Sequence, residues 1–130
     1  MTRYLTLAAA CLLAACATIS EAPVNDATLT LQPAQTLALG ETISLRYDRA
    51  DDSRCPSNAR CVWAGTIVYH FTLLGKTASE PFMLGIDKPA FDSKALKGVR
   101  ILLATTDPPP VRMTHQEPPP HPVTVSITNL

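Results

Sequence analysis

The sequence predicts an all-β domain, a small antiparallel β-sandwich (Ig-like) of about seven strands behind an N-terminal lipoprotein signal peptide. Three observations predict the fold. Apolar residues recur with period two along residues 27–130, turn-forming Gly and Pro separate the runs, and no helical pattern exceeds one turn. After the leader, about 115 residues remain, enough for one ordinary core and no second domain.

Thr28-Leu29-Thr30-Leu31 alternates, Thr36-Leu37-Ala38-Leu39 continues the alternation, and Ile43, Leu45 and Tyr47 share one side of a third run. A fourth strand over 66–74 places Ile67, Tyr69, Phe71 and Leu73 on one face. Val68, His70, Thr72 and Leu74 lie on the other, as in a central strand partly covered on both sides. Phe82, Leu84 and Ile86 mark a fifth strand, 99–104 a sixth, and Val123, Val125 and Ile127 a seventh, with Thr124, Ser126 and Thr128 facing water. Leu39-Gly40-Glu41 and Leu74-Gly75-Lys76 read as turns, and 93–98 as one helical turn capped by Ser93 and closed by Gly98. Residues 107–122, with Pro108-Pro109-Pro110, Pro118-Pro119-Pro120 and Pro122, lack too many amide donors for a ladder and read as an extended, polyproline-like loop.

The leader states where the chain resides. Arg3 is a minimal positive n-region and residues 4–15 an apolar h-region, shorter than the roughly 20 residues of a spanning helix. Leu13-Ala14-Ala15-Cys16 resembles a bacterial lipobox, so residues 1–15 form the signal peptide and Cys16 is the lipid-attachment site. A plain secretory signal cut after Ala15 or Ala17, or an uncleaved anchor, are the alternatives. Cys11 follows Ala8-Ala9-Ala10 without the bulky residue a lipobox carries and is removed with the signal. Two or more acyl chains, palmitate among them, anchor stably where one does not. Ala17 stands where an Asp would resemble an inner-membrane retention signal, so the expected place is the outer membrane facing the periplasm. Residues 16–26 read as the lipidated N-terminus and a flexible tether, and 27–130 as the sandwich.

The chain balances 11 basic against 11 acidic residues, and loss of Arg3 leaves the mature form near −1. No charge run or basic patch points to nucleic acid. Twelve prolines against five glycines suit stiff loops rather than disorder.

Asp52-Ser53-Arg54-Cys55-Pro56, continued by Cys61-Val62-Trp63-Ala64-Gly65, resembles the DSRCP…CVWAG signature of small bacterial lipoproteins and exported β-domains. The resemblance implies an exported, lipid-anchored domain with a disulfide loop between Cys55 and Cys61, and it brings no reaction, substrate or catalytic residue. On the residues alone, a structural staple stands beside a redox-active pair and a metal site. The five-residue gap suits neither thiol exchange nor zinc. Trp63 is expected to pack in the core against the sulfurs, with a ligand groove as its other placement. Asp52, Arg54 and Trp63 form the candidate binding surface.

Asp48, Asp51 and Asp52 crowd this approach, but Arg46, Arg49 and Arg54 are interleaved, which predicts surface ion pairs rather than a calcium loop. Met113, His115 and His121, with His70, offer thioether and imidazole ligands for copper, although a solvated proline loop is the expected setting for Met113, His115 and His121. No nucleophile elbow, Cys/His pair or Gly-rich phosphate loop is present, and no cofactor is indicated. The expected function is therefore a non-catalytic binding or structural module of the envelope, contacting a protein, peptidoglycan or a small ligand. An inhibitor of an exported hydrolase and a periplasmic copper binder are the alternatives.

Lipidation of Cys16 is decided by mass spectrometry of the mature N-terminal peptide. A diacylglyceryl-modified Cys16 is expected, and Cys16→Ser should release the domain from membranes; an unmodified Cys16, or an N-terminus downstream of it, refutes the anchor.

Overall fold

The computed structural model describes residues 26–104 and 108–129; the signal peptide, Cys16 and almost all of the tether lie outside the described residues. Eight strands follow in order: β1 (Ala27–Leu31), β2 (Thr36–Ala38), β3 (Ser44–Asp52), β4 (Ile67–Leu74), β5 (Ser79–Gly85), β6 (Ala90–Asp92), β7 (Val99–Leu103) and β8 (Val123–Asn129). They form two antiparallel four-stranded sheets, β2-β3-β4-β5 and β1-β8-β7-β6. Among the described residues no helix is long and apolar enough to cross a membrane.

Period two is what closes the sandwich. Leu31, Ile101, Val123, Val125 and Ile127 of one sheet and Leu45, Tyr47, Phe71 and Leu84 of the other are buried, and their strand neighbours face outward. β4 is central in its sheet, with one face buried and the other half-buried at Val68, His70 and Leu74, as its two-faced composition predicts. An aromatic row crosses the core from Tyr69 through Tyr47, Phe71 and Phe82 to Phe91, with successive ring centroids 6.2, 5.3, 5.3 and 4.0 Å apart. β6 is the strand absent from the sequence reading: it is three residues long, follows Pro89 and carries a single large apolar side chain, Phe91. Phe91 stacks on Phe82, and the Asp92 carboxylate accepts two hydrogen bonds from Arg100 of β7.

Two local expectations are corrected. No helical turn forms over 93–98, yet both of its end signals are used: Ser93 Oγ accepts the Leu96 N–H at 2.9 Å, and Gly98 sits at φ +83°. Ile86 does not extend the fifth strand. Gly85 and Lys88 exchange backbone hydrogen bonds of 3.0 and 3.1 Å, closing a tight turn that leaves Ile86 exposed at its corner.

β3 carries the feature that shapes the site. Its register against β4 pairs Tyr47 with Phe71 and then Arg49 with His70, so Asp48 is an extra, bulged residue. Before the bulge the odd positions Leu45 and Tyr47 face the core; after it the even positions Ala50 and Asp52 stand opposite Tyr69 and Ile67. The bulge thus points a carboxylate toward the end of the core. Asp48 itself accepts hydrogen bonds from Arg46 at 2.5 Å and from the Thr72 hydroxyl at 2.7 Å.

Strand directions give the sandwich two distinct ends. Asp52, Ile67, Gly85, Leu103 and Val123 terminate strands at one end, where the 53–66 and proline-rich loops lie. Asp26 accepts the Asn129 N–H at 2.9 Å at the other. The buried Tyr47 hydroxyl, whose pKa burial raises further, donates to the His121 carbonyl at 2.8 Å and clamps the proline loop to the core. Tyr47→Phe should therefore lower stability by about 1–3 kcal/mol, the typical penalty for an orphaned buried acceptor, measured by urea unfolding. An unchanged midpoint would show that water replaces the clamp.

Candidate functional site

Beyond Asp52 and Ile67 the β3–β4 hairpin continues as an irregular ribbon. Ser53 N–H donates to the Thr66 carbonyl at 2.9 Å, Thr66 N–H to Ser53 Oγ at 3.1 Å, and Cys55 N–H to the Ala64 carbonyl at 2.9 Å. Gly65 is required where the two arms meet, since it adopts φ +69° and a Cβ there would collide with the Ser53 carbonyl. The tip is closed by the Cys55–Cys61 disulfide across a Cα separation of 5.7 Å. The tip is also fastened sideways to the proline loop: Ser57 N–H donates to the Arg112 carbonyl at 3.1 Å, and Asn58 Oδ1 accepts the Thr114 N–H at 2.8 Å and hydroxyl at 3.0 Å.

On this stapled ribbon Val62 is 91% and Trp63 82% exposed. The expected core placement of Trp63 is thus overturned. The apolar strand begins at Ile67 rather than at the Trp, and residues 61–66 run past the end of the sandwich, outside either ladder.

Asp52 and Arg54 lie nearer the core than surface pairs. Arg54 Nε and Nη2 grip the Asp52 carboxylate at 2.9 and 2.7 Å, and Nη2 also donates to the Pro109 carbonyl at 2.8 Å. Their side chains are only 10% and 17% exposed, unlike the Arg49–Asp51 pair, which is more than half exposed. The Arg54 hydrogen bond, joined by its charge, holds the Asp52 carboxyl below the usual carboxylate range. Of the three aspartate–arginine pairs expected at the surface, this one is a correction: the bulge turned it inward.

His121 is a second correction. It is 5% exposed rather than solvated, with neither ring nitrogen hydrogen-bonded and Nε2 3.6 Å from Asp52 Oδ2. Burial, the larger influence, lowers its pKa and outweighs the attraction of Asp52, so the ring is neutral at pH 7 and the contact is not an ion pair. Both shifts are downward, so the stability they confer is present above the unfolded-state values and fades on acidification. His121 acts first, below pH about 6.5, and Asp52 below about 4. Met113 and His115 are exposed, and His70 contacts Asp51 at 2.7 Å on the outer face. Among the described residues no three His, Cys, Asp or Glu side chains converge on a metal position.

Two depressions open at this end. One, of about 320 Å³, is bordered by Asp51, Asp52, Arg112, Pro118 and His121. The other, of about 520 Å³, is the mouth between the two sheets, walled by Ile67, Tyr69, Ile86 and Leu103 with Arg54 and Thr66 at its polar side. Of the residues singled out from sequence, Asp52 and Arg54 are brought into direct contact and Trp63 projects beyond them; His121 joins Asp52 unforeseen. Ile86 and Leu103 were read only as strand residues, and no local signal marks them as groove walls.

Comparison with protein-family models, with curated proteins and with solved structures found no match.

The disulfide closes about seven residues, for which chain entropy gives roughly 2.4 kcal/mol. With Trp63 exposed, packing on its ring adds nothing to that figure. Cys55→Ser with Cys61→Ser should lower the melting temperature by roughly 10 °C while the circular dichroism of the sheets is retained. Two titratable thiols in protein isolated without reductant would refute the bridge.

Proposed function

We propose that the chain is a lipid-anchored envelope protein that acts as a non-catalytic binding module, presenting its stapled loop to a partner. The observation that carries this reading is the exposure of Val62 and Trp63 on a loop held by a disulfide and by hydrogen bonds to its neighbour. Large apolar side chains so exposed add little to the core, and a Trp on a fastened backbone loses little entropy when a partner covers it.

The placement of the ends supports display. Asp26 and Asn129 meet at the end of the sandwich remote from the stapled loop. Lipid attachment at Cys16 would lead into the sandwich at Asp26, the end opposite the Trp63 loop. A partner in the periplasm fits that arrangement better than the anchoring leaflet. The projecting, stapled shape of the loop favours one particular form of the reading, insertion into the cleft of an exported hydrolase as its inhibitor.

A photo-activatable benzophenone side chain placed at position 63 of the full chain, in intact cells, tests the reading. A discrete adduct is expected from position 63 and none from position 40, at the opposite end. Equal labelling from both positions, or none from 63, refutes it.

A further inference from the structure

We propose that the mouth between the two sheets binds a small, uncharged amphipathic molecule, an apolar body bearing one carbonyl acceptor of the amide or ester class. At about 520 Å³ it has the size of small-molecule sites. Its walls are apolar: Ile67 and Tyr69 reach it from the core face of β4, Leu103 from β7, and Ile86 forms the rim. The turn at 85–88 holds Ile86 at that rim instead of on the β5 ladder.

Arg54 sets the head group. Its Nε and Nη2 hydrogens are taken by Asp52 and Pro109, and Nη1 makes no hydrogen bond to the described residues. Arg54 lines the groove, which is thereby offered a guanidinium whose positive charge Asp52 already balances. A carboxylate head would bring a second anion toward Asp52, and the fork that grips carboxylates bidentately is occupied. One carbonyl oxygen accepts from Nη1 without the desolvation of an ion. The Thr66 side lies beside this head position, and the apolar body lies along Ile67, Ile86 and Leu103.

The inference rests on the reading of this end as the binding end, and not on the lipid anchor. Its test is a titration of the full chain with 4-phenylbutanamide and, separately, 4-phenylbutanoate, followed by methyl NMR of Ile67, Ile86 and Leu103 and by fluorescence of Trp63, the sole Trp of the chain. Saturable shifts of these methyls are expected with the amide, at a Kd on the order of 1 mM for so small a probe. The carboxylate should bind at least about fivefold more weakly, and Ile86→Ser should weaken the amide by about fivefold. Arg54→Lys keeps a cation for Asp52 but removes Nη1, and should abolish the preference for the amide; if that variant does not fold, Ile86→Ser, exposed and outside the ladder, retains the test. Non-saturable shifts, a carboxylate that binds as tightly as the amide, or indifference to Ile86→Ser overturns the site. Cross-linking from position 63 without amide binding would keep the binding end and remove this site, and amide binding without cross-linking would keep this site and remove the macromolecular partner at Trp63.

Discussion

The partly buried Asp52 carboxylate is the constraint on which the functional end depends. One bulged residue, Asp48, reverses the alternation of β3 and points Asp52 inward, where an isolated anion could not persist. Arg54 answers it from two residues along the chain, and the hydrogen bond left on its Nη2 goes to Pro109. Breaking such a pair from one side leaves a partly desolvated charge without its partner, which destabilises this end. The pair is thus strong in holding geometry even where its net contribution to stability is small. It joins the hairpin ribbon to the proline loop, and everything exposed at this end is positioned by that junction.

The proline loop depends on the same economy of partners. It has few amide donors, so it is held mainly through its carbonyls and polar side chains: Tyr47 on His121, Arg54 on Pro109, Ser57 on Arg112 and Asn58 on Thr114. Three of these four contacts involve residues 54–58, so the disulfide loop and the proline loop behave as one unit. His121, buried against Asp52 without a hydrogen bond, is the point where that unit is least satisfied and most sensitive to acid.

Much of the fold was legible because one face of each long strand is apolar. Ile67, Tyr69, Phe71 and Leu73 needed no tertiary information to be placed inside, nor did Val123, Val125 and Ile127. The site was less so, for three physical reasons. A bulge has no period-two signature, so the inward turn of Asp52 was read as surface pairing. Hydrophobicity ranks Trp63 and Ile86 as core residues, but burial requires a sheet opposite them, and both fall beyond the last ladder rung. His121 was assigned to solvent with its loop, because the fastening of that loop by Tyr47 is a contact across 74 residues that no local pattern encodes.

These exposed residues are also the ones with no structural task. Tyr47 and Phe71 stabilise the sandwich from within, whereas Val62, Trp63 and Ile86 contact water on a frame that several bonds hold still. A stiff frame lowers the entropy lost on association, and it does so only if something associates. Gly65, where no Cβ could be accommodated against Ser53, and Arg54, gripped on two sides, both line the mouth between the sheets. Here the charge pair and the disulfide ribbon stand at its edge, and the rigidity they confer is the physical ground for reading this end as the part of the molecule that meets a ligand.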